Sequence, residues 1–292
     1  MIMHAAGREA SNLPQVNIVR HVQHWALSLL CISIFLSGQR GEAGTTIRVL
    51  SYNVHHCEGI DGQLDVARIA RVIQATMPDL VALQEIDNRT ERTQQVDQAA
   101  ELAKLTGMYF CLGGNLELTG GHYGNAILSR WPLVEVQNRK LPSLGDGEQR
   151  GVLTARVRLP EHAETLSFWA THLDHRRPDA ERIASARLIN EWLDQQATAQ
   201  SVVLAGDLNA RRESAPLKVF AERWQAAGDV ELPTIPAENP RDQIDFVLCQ
   251  PTNSWRVIEV SVINESVASD HRPILAILEW SATPHQTAGS AP

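Results

Sequence analysis

The stretch ASDHRPILAILEW, residues 268 to 280, combines a strand signal with a cluster of reactive side chains. Its second half, residues 273 to 278, is a short apolar run of the kind that forms a buried strand. The polar residues Ser269 to Arg272 stand immediately before that run. Taken alone, such a cluster is equally typical of a solvated turn. Its meaning therefore depends on whether other strands carry similar residues at their ends.

The chain around this stretch alternates between strand and helix signals from Thr45 onward. Two long helices are predicted: residues 64–77, with an apolar stripe that includes Ile69, Ile73 and Met77, and residues 179–197, with a stripe that includes Ile183, Ile189 and Leu193. Strands are predicted over residues 46–54, 79–84, 124–129, 152–158, 166–173, 201–205, 244–248, 256–263 and 273–279. Many strands with two clear long helices favour two packed sheets with helices outside, in one α/β domain.

Polar residues stand at the end of several of these strands or, in one case, inside the strand. They are Asn53, Glu85, His172, Asp207 with Asn209, Asp245, and Asp270 with His271. A single Asp or Asn at such a place is ordinarily a turn former. Six places that all supply a carboxylate, a carboxamide or an imidazole make coincidence a poor explanation. Because ligand sites gather where strands of a rigid scaffold end, the set predicts a functional site at one edge of the sandwich.

Composition limits the classes of function. The chain has 292 residues, 43% of them hydrophobic and 21% charged, and a net charge of -8. These values are typical of a globular protein. A protein that binds duplex DNA usually carries a basic stripe, so the acidic balance weakens that interpretation, although a local basic patch can lie on an acidic protein. The five arginines Arg89, Arg92, Arg150, Arg176 and Arg241 are few for tracking a duplex.

The first 43 residues have the order of a secretory leader. Arg20 precedes the apolar run of residues 25–36, and small residues follow at 41–43. We therefore expect a cleaved signal peptide over 1–43, a single catalytic domain over 44–283 and a tail over 284–292, in an exported and monomeric protein. The alternatives are an uncleaved membrane anchor and a misassigned start of the sequence. Outside the leader, Cys57, Cys111 and Cys249 lack the spacing of a zinc or redox motif, and free thiols or one pair with a spare are both open.

The ordered set of polar motifs resembles the endonuclease/exonuclease/phosphatase superfamily, whose members include DNase I. The resemblance covers residues 47 to about 280, with GDLNA (206–210) and SDHRP (269–273) its most specific pieces and LQE (83–85) the next. It implies the family's DNase I-like four-layer α/β/β/α sandwich. It also implies a Mg²⁺-dependent phosphoric ester hydrolase, with Mn²⁺ as a substitute.

The resemblance assigns roles to individual residues. His271, supported by Asp245, would act at the scissile phosphate, because a carboxylate on one ring nitrogen stabilises the imidazolium. Asp207 would orient or deprotonate the attacking water, and Asn209 would hold a phosphoryl oxygen. The predicted metal ligands are Asn53, Glu85 and Asp270, a set of oxygen donors that suits magnesium.

Three further positions are predicted from the resemblance. His172 matches the family's first catalytic histidine, but the glutamate that supports it in DNase I has no counterpart, so Asn125 or Tyr123 is expected to replace it. Arg150 stands where DNase I contacts a phosphate, and a surface arginine at a loop end is the alternative. Arg150 and Asn125 are therefore the predicted substrate-binding residues.

Substrate class is the least determined property. The loops that would surround the cleft contain no long insertion of lysines and aromatics for duplex DNA and no amphipathic hairpin for bilayer insertion. A phosphodiester or phosphomonoester of a small molecule or a phospholipid head group is the expected substrate, and a membrane-surface substrate stays open. A secreted nuclease is the alternative enzyme, and an inactive binding protein of the same fold is a remote third.

Overall fold

The computed structural model describes residues 44–160, 165–196 and 200–281. The predicted leader (1–43) and tail (284–292) lie outside these residues. Twelve strands are seen in this part of the chain: β1 (Thr45–Asn53), β2 (Leu80–Asn88), β3 (Tyr109–Leu118), β4 (Gly121–Ser129), β5 (Leu133–Lys140), β6 (Gly151–Arg158), β7 (Thr165–His172), β8 (Val202–Asp207), β9 (Gln225–Ala226), β10 (Asp245–Gln250), β11 (Trp255–Val262) and β12 (Ile274–Trp280). The α-helices are α1 (Val66–Thr76), α2 (Gln98–Thr106), α3 (Ala180–Asp194) and α4 (Ala215–Ala221).

The strands form two six-stranded sheets with the same internal plan. The order is β11-β12-β1-β2-β4-β3 in the first sheet and β5-β6-β7-β8-β10-β9 in the second. Each sheet has one parallel pair at its centre, β1 with β2 and β7 with β8, flanked by antiparallel neighbours. The carboxyl ends of all four central strands can therefore supply side chains to one edge of the sandwich.

Three hydrophobic cores hold the layers together. Side chains alternate along β1, so that Ile47 and Val49 enter the core between the sheets while Leu50 and Tyr52 enter the core beneath α1 and α2. The third core lies between the second sheet and helices α3 and α4, and Trp169 contributes to it. This alternation buries the central strands on both faces. The predicted four-layer α/β/β/α sandwich is confirmed.

The two predicted helices are present, with shorter bounds. Helix α1 begins after Asp65, whose Oδ1 accepts a hydrogen bond from the Arg68 backbone N–H at 2.8 Å, as an N-cap residue does. It ends where Met77 adopts a left-handed φ of 46°. Met77 was predicted on the buried stripe, but its side chain is 71% exposed because the helix has already ended. In α3, Ile183 is half-buried.

Other parts of the sequence prediction need correction. Helices α2 and α4 and strands β3, β5 and β9 were not predicted, because their apolar periodicity is weak or short. Strand β2 does not end at Glu85 but continues to Asn88, with a pairing irregularity between Leu83 and Ile86. Asp245 is the first residue of β10 and does not lie inside that strand.

The three cysteines outside the leader bear on one further expectation. Cys57, Cys111 and Cys249 are all free, so the alternative of one disulfide pair is wrong for this state of the chain. Burial raises the pKa of the thiols of Cys111 and Cys249 to about 12. Among the described residues, none of the helices has the length and apolarity needed to span a membrane.

Candidate active site

The two parallel strand pairs bring four predicted site residues to one edge. Asn53 ends β1 and Glu85 lies in the irregular part of β2, while His172 and Asp207 end β7 and β8 and face each other in the pairing register. The Asn53 Nδ2 donates to Glu85 Oε1 at 2.9 Å and to Asp207 Oδ2 at 3.1 Å. One buried carboxamide therefore joins the site residues of the two sheets.

Asp207 lies at the centre of this cluster and is 1% exposed. Its Oδ1 accepts a hydrogen bond from the Asn209 backbone N–H at 2.8 Å. Its Oδ2 lies 3.4 Å from His172 Nε2 and 3.7 Å from His271 Nε2. Burial, followed by the nearby charge of Asp245, raises the pKa of Asp207 to about 7. A carboxylate with such a pKa can accept a proton near neutral pH.

His271 is paired with Asp245 as the sequence predicted. The His271 Nδ1 lies 2.9 Å from Asp245 Oδ2, and Thr234 Oγ1 donates to the same oxygen at 2.6 Å. Burial alone would lower the pKa of His271, but the charge of Asp245, its hydrogen bond and the charge of Asp207 together raise it to about 10. The imidazole is therefore held as an imidazolium at neutral pH. Its Nε2 is left to face Asp207 and the cleft.

His172 is supported by Arg150 and not by the residues that the sequence suggested. The Arg150 Nη1 lies 3.0 Å from His172 Nδ1, and because a guanidinium only donates, Nδ1 accepts. The proton of the neutral ring is then on Nε2, where Asp207 Oδ2 at 3.4 Å can accept it and the nearby Asn209 amide nitrogen, itself a donor, cannot. Burial, followed by the charge of Arg150, holds the pKa of His172 well below its usual value. The expectation that Asn125 or Tyr123 supports His172 is therefore wrong.

Arg150 and Asn125 were predicted to contact substrate. Arg150 lines the cleft but is only 4% exposed, and its Nη2 also lies 2.9 Å from Glu148 Oε2 and 3.3 Å from His175 Nδ1. Asn125 is not among the residues that line the cleft. It is 1% exposed and its Nδ2 donates to the Gly151 carbonyl oxygen at 3.1 Å. Substrate contact by either residue stays a prediction.

Asn209 has a backbone conformation that side chains other than glycine rarely adopt, with a φ of 46°. Its Nδ2 donates to the Leu173 carbonyl oxygen at 3.0 Å and lies 3.1 Å from His172 Nε2. Asparagine is the side chain that best tolerates this region. The turn after β8 thus places the amide of Asn209 at the floor of the cleft, next to the two catalytic candidates His172 and Asp207.

The predicted metal ligands are hard oxygen donors, and two of them line the same cleft. Glu85 and Asp270 both line the cleft, and Ser269 Oγ donates to the Asn53 carbonyl oxygen at 2.7 Å, which fixes the loop that carries Asp270. Carboxylate oxygens such as these suit a magnesium ion completed by water and substrate. The Asn53 amide donates to Glu85, so in this orientation it positions that carboxylate. A direct oxygen ligand from Asn53 stays a prediction.

The cleft has a volume of about 420 Å³. Apart from predicted site residues, its walls contain His55, His56, Arg92, Leu116, Leu118, Tyr123, Glu148 and His175. Neither His55 nor His56 was assigned a role from the sequence, because a pair of adjacent loop histidines matches no specific motif. Of the five arginines considered from the sequence, only Arg92 and Arg150 line this cleft.

A sequence model described as the endonuclease/exonuclease/phosphatase family matches residues 50–271. The chain belongs to this family. Among curated proteins, it is 27% identical over 244 residues to the uncharacterized protein YbhP of Escherichia coli (strain K12), an alignment that covers 79% of this chain and 95% of YbhP. Nucleases and phosphatases, the activities in the family's description, hydrolyse phosphoric esters, which agrees with the motifs.

Solved structures agree with the fold. An endonuclease/exonuclease/phosphatase protein from Beutenbergia cavernae superposes with a TM-score of 0.69 at 26% identity, covering 81% of this chain and 72% of that protein. A mannosyl-6-phosphatase from Bacteroides thetaiotaomicron superposes with a TM-score of 0.67 at 18% identity, covering 80% of this chain and 100% of that protein. TDP2 from D. rerio, solved with a single-stranded DNA product, has a TM-score of 0.63 at 17% identity, covering 80% and 99%. At these low identities, the last two establish the fold alone.

Proposed function

We propose that this protein is a metal-dependent phosphoesterase that hydrolyses a phosphodiester or phosphomonoester by attack of water on phosphorus. The observation that carries the proposal is the cluster around Asp207. This carboxylate is buried between a neutral histidine, His172, and a charged one, His271, at the floor of an open cleft. A proton acceptor and a proton donor with different pKa values, placed side by side, are what general acid–base catalysis requires.

The chain's own residues divide the chemistry. Asp207, with a pKa near neutrality, accepts the proton of the attacking water. As the water oxygen bonds to phosphorus, the bond from phosphorus to the leaving oxygen breaks, and the imidazolium of His271, held by Asp245, donates its Nε2 proton to that oxygen. Asn209 and the neutral His172 supply donors for a phosphoryl oxygen and hold the water in place. A divalent cation held by Glu85 and Asp270 would supply Lewis-acid polarisation and charge neutralisation.

The test uses hydrolysis of bis-p-nitrophenyl phosphate in the presence of Mg²⁺ or Mn²⁺. Asp207→Ala and His271→Ala should each lower the rate by at least about 100-fold, because each removes a proton-transfer group. The exposed residues Asp229 and His122 lie outside the cleft lining and provide matched controls as Asp229→Ala and His122→Ala. Activity that survives exhaustive EDTA treatment, or near-wild-type rates in both cleft variants, contradicts the proposal.

We further propose that the substrate is a small molecule or a phospholipid head group. Both arginines of the cleft are already paired: Arg92 donates to Asp87 at 2.7 and 2.8 Å, and Arg150 lies 2.9 Å from Glu148. A cleft whose arginines are paired in this way offers little attraction for a long polyanion, whose binding depends on phosphate neutralisation. Its volume suits one small ligand.

A side-by-side panel distinguishes this substrate class from a nuclease. It contains plasmid DNA, single-stranded RNA, phosphatidylinositol phosphates, sphingomyelin and a hexose 6-phosphate. We expect weak nuclease activity and faster turnover of a phosphoester that is not a nucleic acid. Degradation of plasmid DNA far faster than of the other substrates would establish the nuclease alternative.

We also propose that the protein is exported. The support is the apolar run of residues 25–36 with small residues at 41–43. Mass spectrometry of material recovered outside the cytoplasm should find a mature chain that lacks the leader. An intact N-terminus on membrane-bound material would instead favour the anchor.

A further inference from the structure

His55, His56 and Glu85 converge on one side of the cleft. One ring nitrogen of each histidine and one carboxylate oxygen of Glu85 all lie within 4.8 Å of one another. The two imidazole rings are 4.4 Å apart between centroids. Donor atoms that converge this closely can share a single ion after small side-chain movements. Neither histidine is needed by the acid–base chemistry around Asp207.

The tautomers of both rings leave a nitrogen lone pair for an ion. The His55 Nδ1 lies 3.1 Å from the Glu58 carbonyl oxygen, which can only accept, so Nδ1 carries the proton and Nε2 is free. The His56 Nε2 lies 3.5 Å from Glu58 Oε2, while its Nδ1 is buried without a hydrogen-bond partner among the described residues. Metal-binding histidines are usually oriented in this way by a carbonyl or carboxylate on the second ring nitrogen.

The backbone is held in an unfavourable conformation at all three positions. The φ angles are 45° at His55, 42° at His56 and 60° at Glu85, where non-glycine residues pay a steric penalty. Gln98, which is fully buried, donates to the His56 carbonyl oxygen at 2.6 Å and accepts from the Asp87 backbone N–H at 2.9 Å. One side chain thus fixes the histidine loop against the strand that carries Glu85.

We infer that His55, His56 and Glu85 form a binding site for a divalent transition-metal ion such as Zn²⁺ or Co²⁺. The site shares Glu85 with the predicted hard-cation site of Glu85 and Asp270 but differs from it in donor chemistry. Imidazole nitrogens favour Zn²⁺ and Co²⁺ over Mg²⁺, which prefers oxygen ligands. The neighbouring cation Arg92 is already neutralised by its two hydrogen bonds to Asp87, which reduces its repulsion of a bound ion.

The experiment titrates EDTA-stripped, full-length protein with Co²⁺, followed by visible absorption, and separately with Mg²⁺, followed by calorimetry. The variant His55→Asn/His56→Asn should bind Co²⁺ on the order of 100-fold more weakly, while Mg²⁺ binding is largely retained. Asparagine is chosen because it tolerates the left-handed backbone at both positions. Asp270→Asn should show the opposite selectivity, and His122→Asn should match the wild type.

Two results overturn the inference. One is equal Co²⁺ affinity in the wild type and the double variant. The other is a parallel loss of Co²⁺ and Mg²⁺ in the double variant, which would indicate a single shared site. If the double variant fails to fold, X-ray absorption of the Zn²⁺-loaded wild type decides: two imidazole ligands are expected, and a shell of oxygens alone contradicts the site. Metal binding is measured without turnover, so its failure is distinct from failure of the proposed hydrolase.

Discussion

At the scale of single residues, the unexpected contact is the one between Arg150 and His172. The sequence predicted Arg150 as a substrate contact, but its guanidinium is 4% exposed and reaches two histidines and a glutamate. It therefore sets the tautomer of His172, and with it the direction of the Nε2 proton. The residue acts as a positioning group for the catalytic histidine.

Arg150→Lys should lower kcat/KM by at least about tenfold, because a lysine ammonium group cannot replace a planar guanidinium that contacts two histidines and a glutamate at once. The measurement is steady-state hydrolysis of bis-p-nitrophenyl phosphate across a pH series, since a misplaced His172 also shifts the pH profile. Arg241→Lys, an exposed change outside the cleft lining, is the control. A lysine variant with wild-type rate and profile would contradict the positioning role.

His172 should also make folding stability depend on pH. Its pKa is held well below 6.5 in the folded protein, by burial first and then by the charge of Arg150. Below about pH 6.5 the His172 imidazole binds a proton in the unfolded chain but stays neutral in the folded protein. The free energy of unfolding therefore decreases as the pH falls below that value.

The prediction is a difference in slope between two proteins. Between pH 6.5 and 5, the free energy of unfolding should fall more steeply for the wild type than for His172→Gln, by up to about 1.4 kcal/mol per pH unit. Urea unfolding of both proteins at a series of pH values measures it, with His122→Gln as a control for an exposed histidine. Parallel pH dependences of wild type and His172→Gln would contradict the assigned protonation state.

At the scale of elements, the parallel pair β7–β8 controls the site. The pairing register sets His172 opposite Asp207, and Gly206 precedes Asp207 in β8. A Cβ at Gly206 would collide with the Thr171 carbonyl oxygen in the neighbouring strand. The absence of a side chain at this position is therefore what lets the two strands approach each other beside the site.

Gly206→Ala should destabilise the protein by about 1–3 kcal/mol, the usual cost of overpacking, and should also lower activity. The loss of activity is expected because separating β7 from β8 moves His172 away from Asp207. Chemical unfolding and hydrolysis rates at a temperature where the variant is folded measure the two effects. Ala205→Gly, one residue earlier, is the control for a small change on the same strand; full activity in a folded Gly206→Ala variant would contradict the argument.

Some elements could be predicted from the sequence and others could not. Strands such as β8, buried on both faces, were predicted well because a continuous apolar run identifies them. Glu85 was predicted as a site residue, yet the strand continues past it, since a pairing irregularity and a left-handed φ leave no mark in the sequence. The support of His172 was missed for a different reason. Its partner Arg150 is 22 residues away and meets it only through the β6–β7 pairing.

At the scale of the whole molecule, the two sheets each repeat one plan, in which a parallel pair is flanked by antiparallel strands. The two sheets and the three hydrophobic cores organise the described part of the chain, residues 44–160, 165–196 and 200–281. The pairing of distant strands was not predictable from sequence patterns, because β1 pairs with β12 across most of the chain.

We predict that residues 44–283 fold and act without the N-terminal segment. The reason is that all three hydrophobic cores and all predicted site residues lie within that range. The unfolding midpoint and the rate of bis-p-nitrophenyl phosphate hydrolysis should agree with those of the full chain. An aggregated or inactive shorter chain would contradict the predicted domain boundary.

The hydrogen bond from Asn53 to Asp207 determines how a ligand bound in the cleft would affect the stability of the whole protein. Because this contact joins the two sheets, a ligand that binds both sides of the cleft fastens the halves of the sandwich to each other. At a concentration of 100 times Kd, such a ligand adds about 2.7 kcal/mol to global stability. Amide hydrogen exchange should then slow in β1 and in β8 together, although Asn53 and Asp207, the two residues that join these strands, are 154 positions apart in the sequence.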